Sequence, residues 1–224
     1  LLPEDFASFV SALRADVPGL SEIPLGVQAS GAAGMKASMD AGHVVALDAA
    51  KTIADGIAVK KPGELTFELC SRYVDEIVTV DDDEIAQAIL FLMERGKMVA
   101  EGAGAAPVAA IMNRKFDVSG KVAAVISGGN IDVTMISRII EKGLLRAGRM
   151  TKLRILMQDR PGQLEMASRI IAAEGANVMV VHHDRTDVDL DIRDAILEIT
   201  METQDRKHAQ RVIDALRAGG FQVS

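Results

Sequence analysis

The stretch Leu153-Arg154-Ile155-Leu156-Met157, followed one residue later by Asp159-Arg160-Pro161-Gly162-Gln163-Leu164, decides the fold of the last third of the chain. The first part has strand character. The second is a turn, because Pro161 lacks an N–H and Gly162 accepts backbone angles closed to other residues. Beyond it Leu164, Ala167, Ser168 and Ile171 recur at helical spacing and predict a helix with that face inward. Residues 177–183 predict a second strand and 194–203 a third. In the third, Ala195, Leu197, Ile199 and Met201 alternate with mostly polar neighbours, so one face is buried. Residues 205–218 predict a helix with the stripe Ala209, Val212, Ile213 and Leu216, closed by Gly219-Gly220, and 221–223 begin a last strand. The order is β-α-β-β-α-β, a ferredoxin-like sandwich over residues 151–224.

Working towards the start of the chain, the pattern changes to strand–helix alternation. Residues 143–149 hold two glycines and basic residues and read as a linker. Before them, Lys121 to Ile126 is a continuous apolar run, the mark of a strand buried on both faces of a parallel sheet. It ends in Ser127-Gly128-Gly129-Asn130, and a helix is predicted behind it. Helices are predicted over 65–74 and 103–114, a strand over 76–80, and a short strand over 25–27 with a helix after it ending near Gly42. Asp81, Asp82, Asp83 and Glu84 mark a helix start, since carboxylates accept hydrogen bonds from its free N–H groups. Ile85, Ile89, Leu92 and Met93 form the apolar stripe of that helix. Residues 1–23 carry one further helical pattern through Phe6, Phe9, Val10 and Leu13, stopped at Pro18-Gly19. Residues 1–145 therefore form an α/β domain, a parallel sheet with helices.

Composition narrows the class. The 224 residues suffice for one large domain or two modest ones, and 49% are apolar, so a core can be built. With only 3% aromatics it is built from Ala, Val, Ile, Leu and Met. A net charge of −7 makes duplex nucleic acid a poor partner. No apolar run reaches the roughly 18–20 residues of a membrane-spanning helix, so no membrane partner is expected. A single cysteine, Cys70, excludes an internal disulfide framework and fits a reducing, cytoplasmic setting. Leu1 in first place suggests that the natural N-terminus lies further upstream.

In the tail, Gly162 lets the backbone approach a ligand, and the free N–H groups at the following helix start can receive a carboxylate. By residue chemistry alone, Pro161-Gly162 is equally an ordinary strand-to-helix turn. With the D-R-P-G-Q-L turn at its head, the β-α-β-β-α-β tail resembles the ACT domain family over 151–224. The resemblance implies edge-to-edge pairing of two copies with an amino acid bound between them. Asp159, Arg160, Pro161, Gly162, Gln163 and Leu164 of one copy would face Asn177 and Val178 of the other. An open sheet edge is an independent reason to pair. His182-His183-Asp184 suggests a metal site, but adjacent strand residues point to opposite faces, so the segment is read as a surface turn. His43 and His208 stand alone and are given no function.

Four upstream segments remain: G-V-Q-A-S at 26–30, T-I-A-D-G at 52–56, E-G-A-G-A at 101–105 and S-G-G-N-I-D at 127–132. In this order and spacing they resemble the serine/threonine dehydratase group of fold-type II pyridoxal-phosphate enzymes over 25–145. The resemblance implies pyridoxal 5'-phosphate as cofactor. Ser127 would bond the pyridine nitrogen, Gly128 would leave room beside the ring, Gly56 would let the main chain come close, and Glu101 would order the site. A hydroxyl at the nitrogen, unlike a carboxylate, does not enforce its protonation, which suits elimination of a β-hydroxyl. Without the resemblance, Ser127-Gly128-Gly129 is a strand-to-helix turn and Ala103-Gly104-Ala105 is tight helix packing. A dinucleotide loop at 101–105 is rejected, because the segment follows a charged helix end and lacks the third glycine.

The activity implied is that of a threonine ammonia-lyase, an enzyme of amino-acid metabolism in isoleucine biosynthesis. L-threonine undergoes β-elimination to 2-oxobutanoate and ammonia. Serine is a poorer substrate, since one methyl group is worth about 1–3 kcal/mol of discrimination. In that family a lysine in a Ser-x-Lys-x-Arg-Gly-Ala-like motif holds the cofactor and acts as base. No such motif occurs here, so no catalytic residue is assigned to this chain. Lys36, Lys51, Lys60, Lys61 and Lys97 read as solvated charges. A divalent-cation site of some relatives falls at Gln28 and about Gly34, where its acidic ligands are gone, and no metal is assigned. The chain thus reads as the C-terminal part of a lyase with an effector-binding tail, assembled as a homodimer or homotetramer. The competing readings are a non-catalytic ACT module that senses an amino acid and dimerises, and a remnant that binds nothing.

Overall fold

The computed structural model describes residues 24–117, 119–186 and 190–224. The helix expected over 1–23 lies outside them. The chain divides into two compact units, one up to Ile139 and one from Ile140 to Ser224.

In the first unit β1 (Leu25–Ala29) and β2 (Glu76–Val80) pair in parallel, Leu25 against Glu76 through to Ala29 against Val80. Around them lie α1 (Gly34–Ala41), α2 (Glu64–Tyr73), α3 (Asp82–Phe91) with a π-turn over Leu92–Gly96, and α4 (Gly102–Met112), and α5 (Val133–Ala147) begins in this unit and ends in the second. The start of α3 follows from its carboxylates. The Asp81 side chain accepts from the Glu84 N–H at 2.8 Å, and the Glu84 carboxylate accepts from the Asp81 N–H at 2.9 Å, a reciprocal capping box. Ile85, Ile89 and Leu92 bury the predicted stripe against Val78 and Val80. On the other side, α4 presents Ala105, Ala106, Ala109 and Ala110, and so many small side chains let the helices approach closely.

One strand is corrected. Residues 122–126 lie outside any sheet, and Val125 is 50% exposed. A strand exists through cross-strand hydrogen bonds. Among the described residues β1 and β2 pair with each other and neither reaches this run.

The second unit contains β3 (Met150–Gln158), α6 (Gln163–Ala173), β4 (Asn177–Asp184), β5 (Asp194–Glu202), α7 (Arg206–Ala218) and β6 (Gln222–Val223). The sheet is antiparallel in the order β4-β5-β3-β6. This is the predicted β-α-β-β-α-β sandwich. Leu153, Ile155, Met157, Ala195, Leu197, Ile199 and Met201 face Ala167 and Ile171 of α6 and Val212 and Leu216 of α7.

Three details differ from expectation. Leu164 is exposed, because it lies in the first turn of α6, beyond the reach of the core. His182 and His183 belong to β4, as the strand over 177–183 requires, and Asp184 extends it, so the surface-turn reading of this segment is corrected. Residues 143–149 are not a loose linker: α5 stays helical to Ala147, and Gly148 turns with φ +68°. That turn is fastened by the Thr203 hydroxyl, which donates to the Gly148 carbonyl at 2.6 Å, and by the Arg206 guanidinium, which donates to the Arg146 carbonyl at 2.6 and 3.0 Å. No helix of the described residues is long and apolar enough to cross a membrane.

His208, which has no sequence signature, is 2% exposed. Its Nδ1 accepts from the Gln204 N–H at 3.0 Å. Nε2 therefore carries the hydrogen and donates to the Glu174 carbonyl at 2.9 Å, tying the start of α7 to the end of α6. Replacing it with Phe leaves both backbone groups without a partner. His208→Phe should lower the unfolding free energy in urea by about 1–3 kcal/mol, while the same change at exposed His43 should stay within about 0.5 kcal/mol.

Candidate functional site

The first unit brings the four segments singled out in the sequence into one chain of contacts. At 52–56 the backbone is held from below by Asp82: its Oδ1 accepts from the Thr52 hydroxyl at 2.5 Å and from the Ile53 N–H at 3.1 Å. The Thr52 oxygen in turn accepts from the Ala54 N–H at 3.1 Å. Lys51, just before, donates its N–H to the Gly31 carbonyl at 3.0 Å, and a Cβ on Gly31 would run into the Lys51 carbonyl. The residues that follow segment 26–30 and precede segment 52–56 are thus joined through main-chain contact. The loop then lies on the start of α4, where a Cβ on Gly102 would stand 2.8 Å from the Ala54 Cα.

The same helix start receives residues 127–130. The Glu101 N–H donates to the Gly128 carbonyl at 3.3 Å. Gly128 has φ +75°, and a Cβ there would meet the Glu101 carboxylate; a Cβ on Gly104 would meet the Ser127 carbonyl. On the other side, the Cβ position of Gly56 is 3.2 Å from the Ala103 Cβ and 3.5 Å from Glu101 Oε1. Gly56, Glu101 and Gly128 therefore converge, with Ser127 next to them in sequence. Glu101 precedes α4 without capping it, so its carboxylate keeps its acceptor sites.

Ser127 itself is exposed, as are Gly128, Gly129 and Asn130. The sequence predicted a hydroxyl at the end of a buried strand, and this follows the strand that fails to form. Its main chain lies beside Gly104, and its side chain is not buried. Beyond it, Thr134 donates its hydroxyl at 2.8 Å and its N–H at 2.6 Å to Asp132, holding that carboxyl below the usual carboxylate range just before α5.

Two groups were missed. Asp82 reads in the sequence as one more helix-start carboxylate. The run of four acids holds more than a capping box uses, and that surplus was the available signal. At the position of the cation ligand in some relatives, the Gln28 Oε1 accepts from the Lys36 N–H at 2.8 Å, a structural role at the start of α1. Lys36 pairs with Asp40 and Lys97 donates to the Glu94 carbonyl, both in exposed positions. No cluster of three or more metal-ligating side chains occurs among the described residues.

In the second unit Asp159, Arg160, Pro161, Gly162, Gln163 and Leu164 form the passage from β3 into α6, with Gly162 at φ +89° and open space around it. Asn177 donates to Glu202 at 2.9 Å, and Val178 is half-buried beside it. Because β3 and β4 both run antiparallel to β5, Asn177 and the 159–164 turn lie at opposite ends of the sheet.

The model of the pyridoxal-phosphate dependent enzymes matches residues 6–128. The chain belongs to this family. It is 51% identical over 200 residues to an L-threonine ammonia-lyase of Thermotoga maritima, covering 89% of this chain and 50% of that protein. It is 43% identical over 218 residues to the L-threonine ammonia-lyase of Geobacter sulfurreducens, covering 97% of this chain and 54% of the other. The chain therefore spans about half the length of the curated relatives it matches. Among solved structures, the processed threonine deaminase isoform 2 of Solanum lycopersicum aligns with a TM-score of 0.51 at 30% identity, over 62% of this chain and 40% of that one.

The family's cofactor is pyridoxal phosphate, and the residues present fit it. Gly56 and Gly128 bring main chain up against Glu101, where a side chain would meet that carboxylate or Ala103. Glu101 supplies an uncommitted carboxylate, and Ser127 a hydroxyl able to donate or accept.

The close approach at Gly104 gives a direct test. Gly104→Ala forces its new methyl into the Ser127 carbonyl, so residues 127–130 must shift. A loss of about 1–3 kcal/mol in stability is expected, with faster amide exchange concentrated at 127–132 as measured by hydrogen–deuterium exchange.

Proposed function

We propose that this chain is the C-terminal part of a threonine ammonia-lyase, which converts L-threonine to 2-oxobutanoate and ammonia and takes serine less well. The observation that carries the reading is the meeting of Glu101, Gly56 and the Ser127-Gly128 turn at the start of α4. The identity with the Thermotoga maritima L-threonine ammonia-lyase supports the same substrate. The bound cofactor supplies electron withdrawal from the substrate's α-carbon, which allows the β-hydroxyl to leave. Ser127 would hold the ring nitrogen without forcing a proton onto it. Gly56 and Gly128 would let the main chain come close to the cofactor, and Glu101 would order the site. The lysine that anchors the cofactor and takes the α-proton has no motif in this sequence, and we assign it to the length of the relatives that this chain does not span.

The domains proposed are a partial catalytic domain over 1–145 and an ACT-type regulatory domain over 151–224. The latter is read as a sensor of a small amino acid, with residues 159–164 of one copy facing Asn177 and Val178 of a second. Asn177 lies level with Met150, nine strand steps from Asp159, and two ends of one sheet roughly 30 Å apart can meet around one ligand only across two copies. Exposed Met179, Val180 and Val181 on the edge strand β4 favour such pairing, and with it an even-numbered homo-oligomer. The single cysteine favours the reducing cytosol.

The complete gene product should release 2-oxobutanoate from L-threonine and show the visible absorbance of bound pyridoxal phosphate, abolished by borohydride. Because Ser127 is exposed, Ser127→Ala should leave the circular dichroism unchanged while weakening cofactor binding by about five- to tenfold. Unaltered cofactor affinity in this variant would remove Ser127 from the site. Absence of both absorbance and turnover in the wild type would leave the non-catalytic sensor reading.

A further inference from the structure

Asp82 does more than the start of α3 requires. The cap of that helix is complete without it, since Asp81 and Glu84 already exchange their two bonds. The Asp82 carboxylate serves a loop some thirty positions earlier instead. Its Oδ1 accepts from the Thr52 hydroxyl at 2.5 Å and from the Ile53 N–H at 3.1 Å, and the Thr52 oxygen accepts from the Ala54 N–H at 3.1 Å. Hydrogen bonds to a carboxylate are stronger than those between neutral groups, and a hydroxyl that donates to one becomes a better acceptor. Asp82, Thr52 and Ile53 are all half-buried, so water competes only in part. One oxygen therefore fixes three consecutive residues.

Those residues lie inside a closed loop. At its neck the Leu47 N–H donates to the Lys60 carbonyl at 2.8 Å, and between the two stands the 3-10 turn Asp55–Ile57 with neither strand nor α-helix. Compact loops whose ends meet in this way frequently carry function. The Lys51 N–H ties the loop to the Gly31 carbonyl at 3.0 Å, and Asp82 grips the next two residues. From there the chain passes Ala54, fully buried against Gly102, and arrives at Gly56. Alanine and glycine bury little surface, so packing alone gives this passage a weak hold. The place of Gly56, whose Cβ position is 3.5 Å from Glu101 Oε1, is set by where residues 52–54 are held.

We propose that Asp82 is a positioning residue for the cofactor: through Thr52 and Ile53 it holds residues 54–56, so that Gly56 stands beside Glu101 before pyridoxal phosphate binds. The proposal rests on the reading of Gly56, Glu101 and Ser127-Gly128 as the cofactor site, and adds a residue outside that site on which its shape depends. Asp82 acts through the loop and not by contact. Its contribution is preorganisation, because a loop already in place need not be ordered when the ligand arrives. Without the carboxylate the Thr52 hydroxyl and the Ile53 N–H turn to water, while the neck and the Lys51 bond remain. The loop then loosens between those two fastenings, and part of the binding energy goes into ordering it.

The experiment uses the complete gene product stripped of cofactor, into which pyridoxal phosphate is titrated while its bound absorbance is followed. Asp82→Ala, Thr52→Val and Thr52→Ser are compared with the wild type. Ile89→Val, a change in the buried stripe of α3, serves as a variant that loses stability without touching the loop. Asp82→Ala and Thr52→Val should each weaken cofactor binding about fivefold or more. The double variant should be no worse than Asp82→Ala, because both changes remove one shared interaction. Thr52→Ser keeps the hydroxyl and should match the wild type within about twofold, as should Ile89→Val. In the cofactor-free protein, Asp82→Ala should quicken amide exchange over 52–58 and leave β1 and β2 unchanged. If Asp82→Ala does not fold, Thr52→Val carries the comparison. Wild-type affinity in the Asp82 and Thr52→Val variants, or an equal loss in Ile89→Val, overturns the positioning role and leaves the cofactor site standing. A wild type that binds no pyridoxal phosphate overturns both.

Discussion

The first unit depends on how closely main chains approach one another at the start of α4. Two loops, 52–56, which runs into a 3-10 turn at Asp55–Ile57, and 127–130, reach the same helix end because Gly102 and Gly104 carry no side chains. The loops supply the functional atoms, yet the space for them is created by the helix they rest on. Asp82 completes the arrangement from the opposite side, by gathering Thr52 and Ile53 onto one carboxylate oxygen. Backbone contact of this kind needs no hydrophobic side chain, and it is rigid because carbonyls and Cα atoms have few ways to move aside.

Much of the architecture was legible because period and punctuation agree. The third strand of the tail alternates over most of its length, its last helix has a clean stripe, and Asp159-Arg160-Pro161-Gly162 can be little other than a turn; the sandwich follows from those three facts. Residues 121–126 are the counter-case. Their composition records a preference for a buried ladder, while a ladder needs a partner that composition does not name. Residues 143–149 fail for a related reason. Two glycines suggest a flexible joint, but Thr203 and Arg206, more than fifty positions away, supply the bonds that fix it.

The site was legible at the level of segments and not of atoms. The motifs at 52–56, 101–105 and 127–132 carry the glycines, and the glycines are what the geometry uses. The charged and ring-bearing residues were misjudged because their roles depend on which face they occupy. Asp82 looks like its neighbours in a run of acids. His183 was set aside together with His182, although the opposite facing of adjacent strand residues, the argument used against a shared metal, is also what sends one of them inward.

The alanine surface of α4 also limits how the protein can change. Ala105, Ala106, Ala109 and Ala110 have a single carbon each beyond the backbone, so substitution offers almost nothing to trim and nearly every alternative is an addition. Drift is therefore one-sided along this helix, and compensation has to come from the residues it touches, such as Ile85 or Val80. A lineage can refit the partners many times while the helix itself stays nearly still.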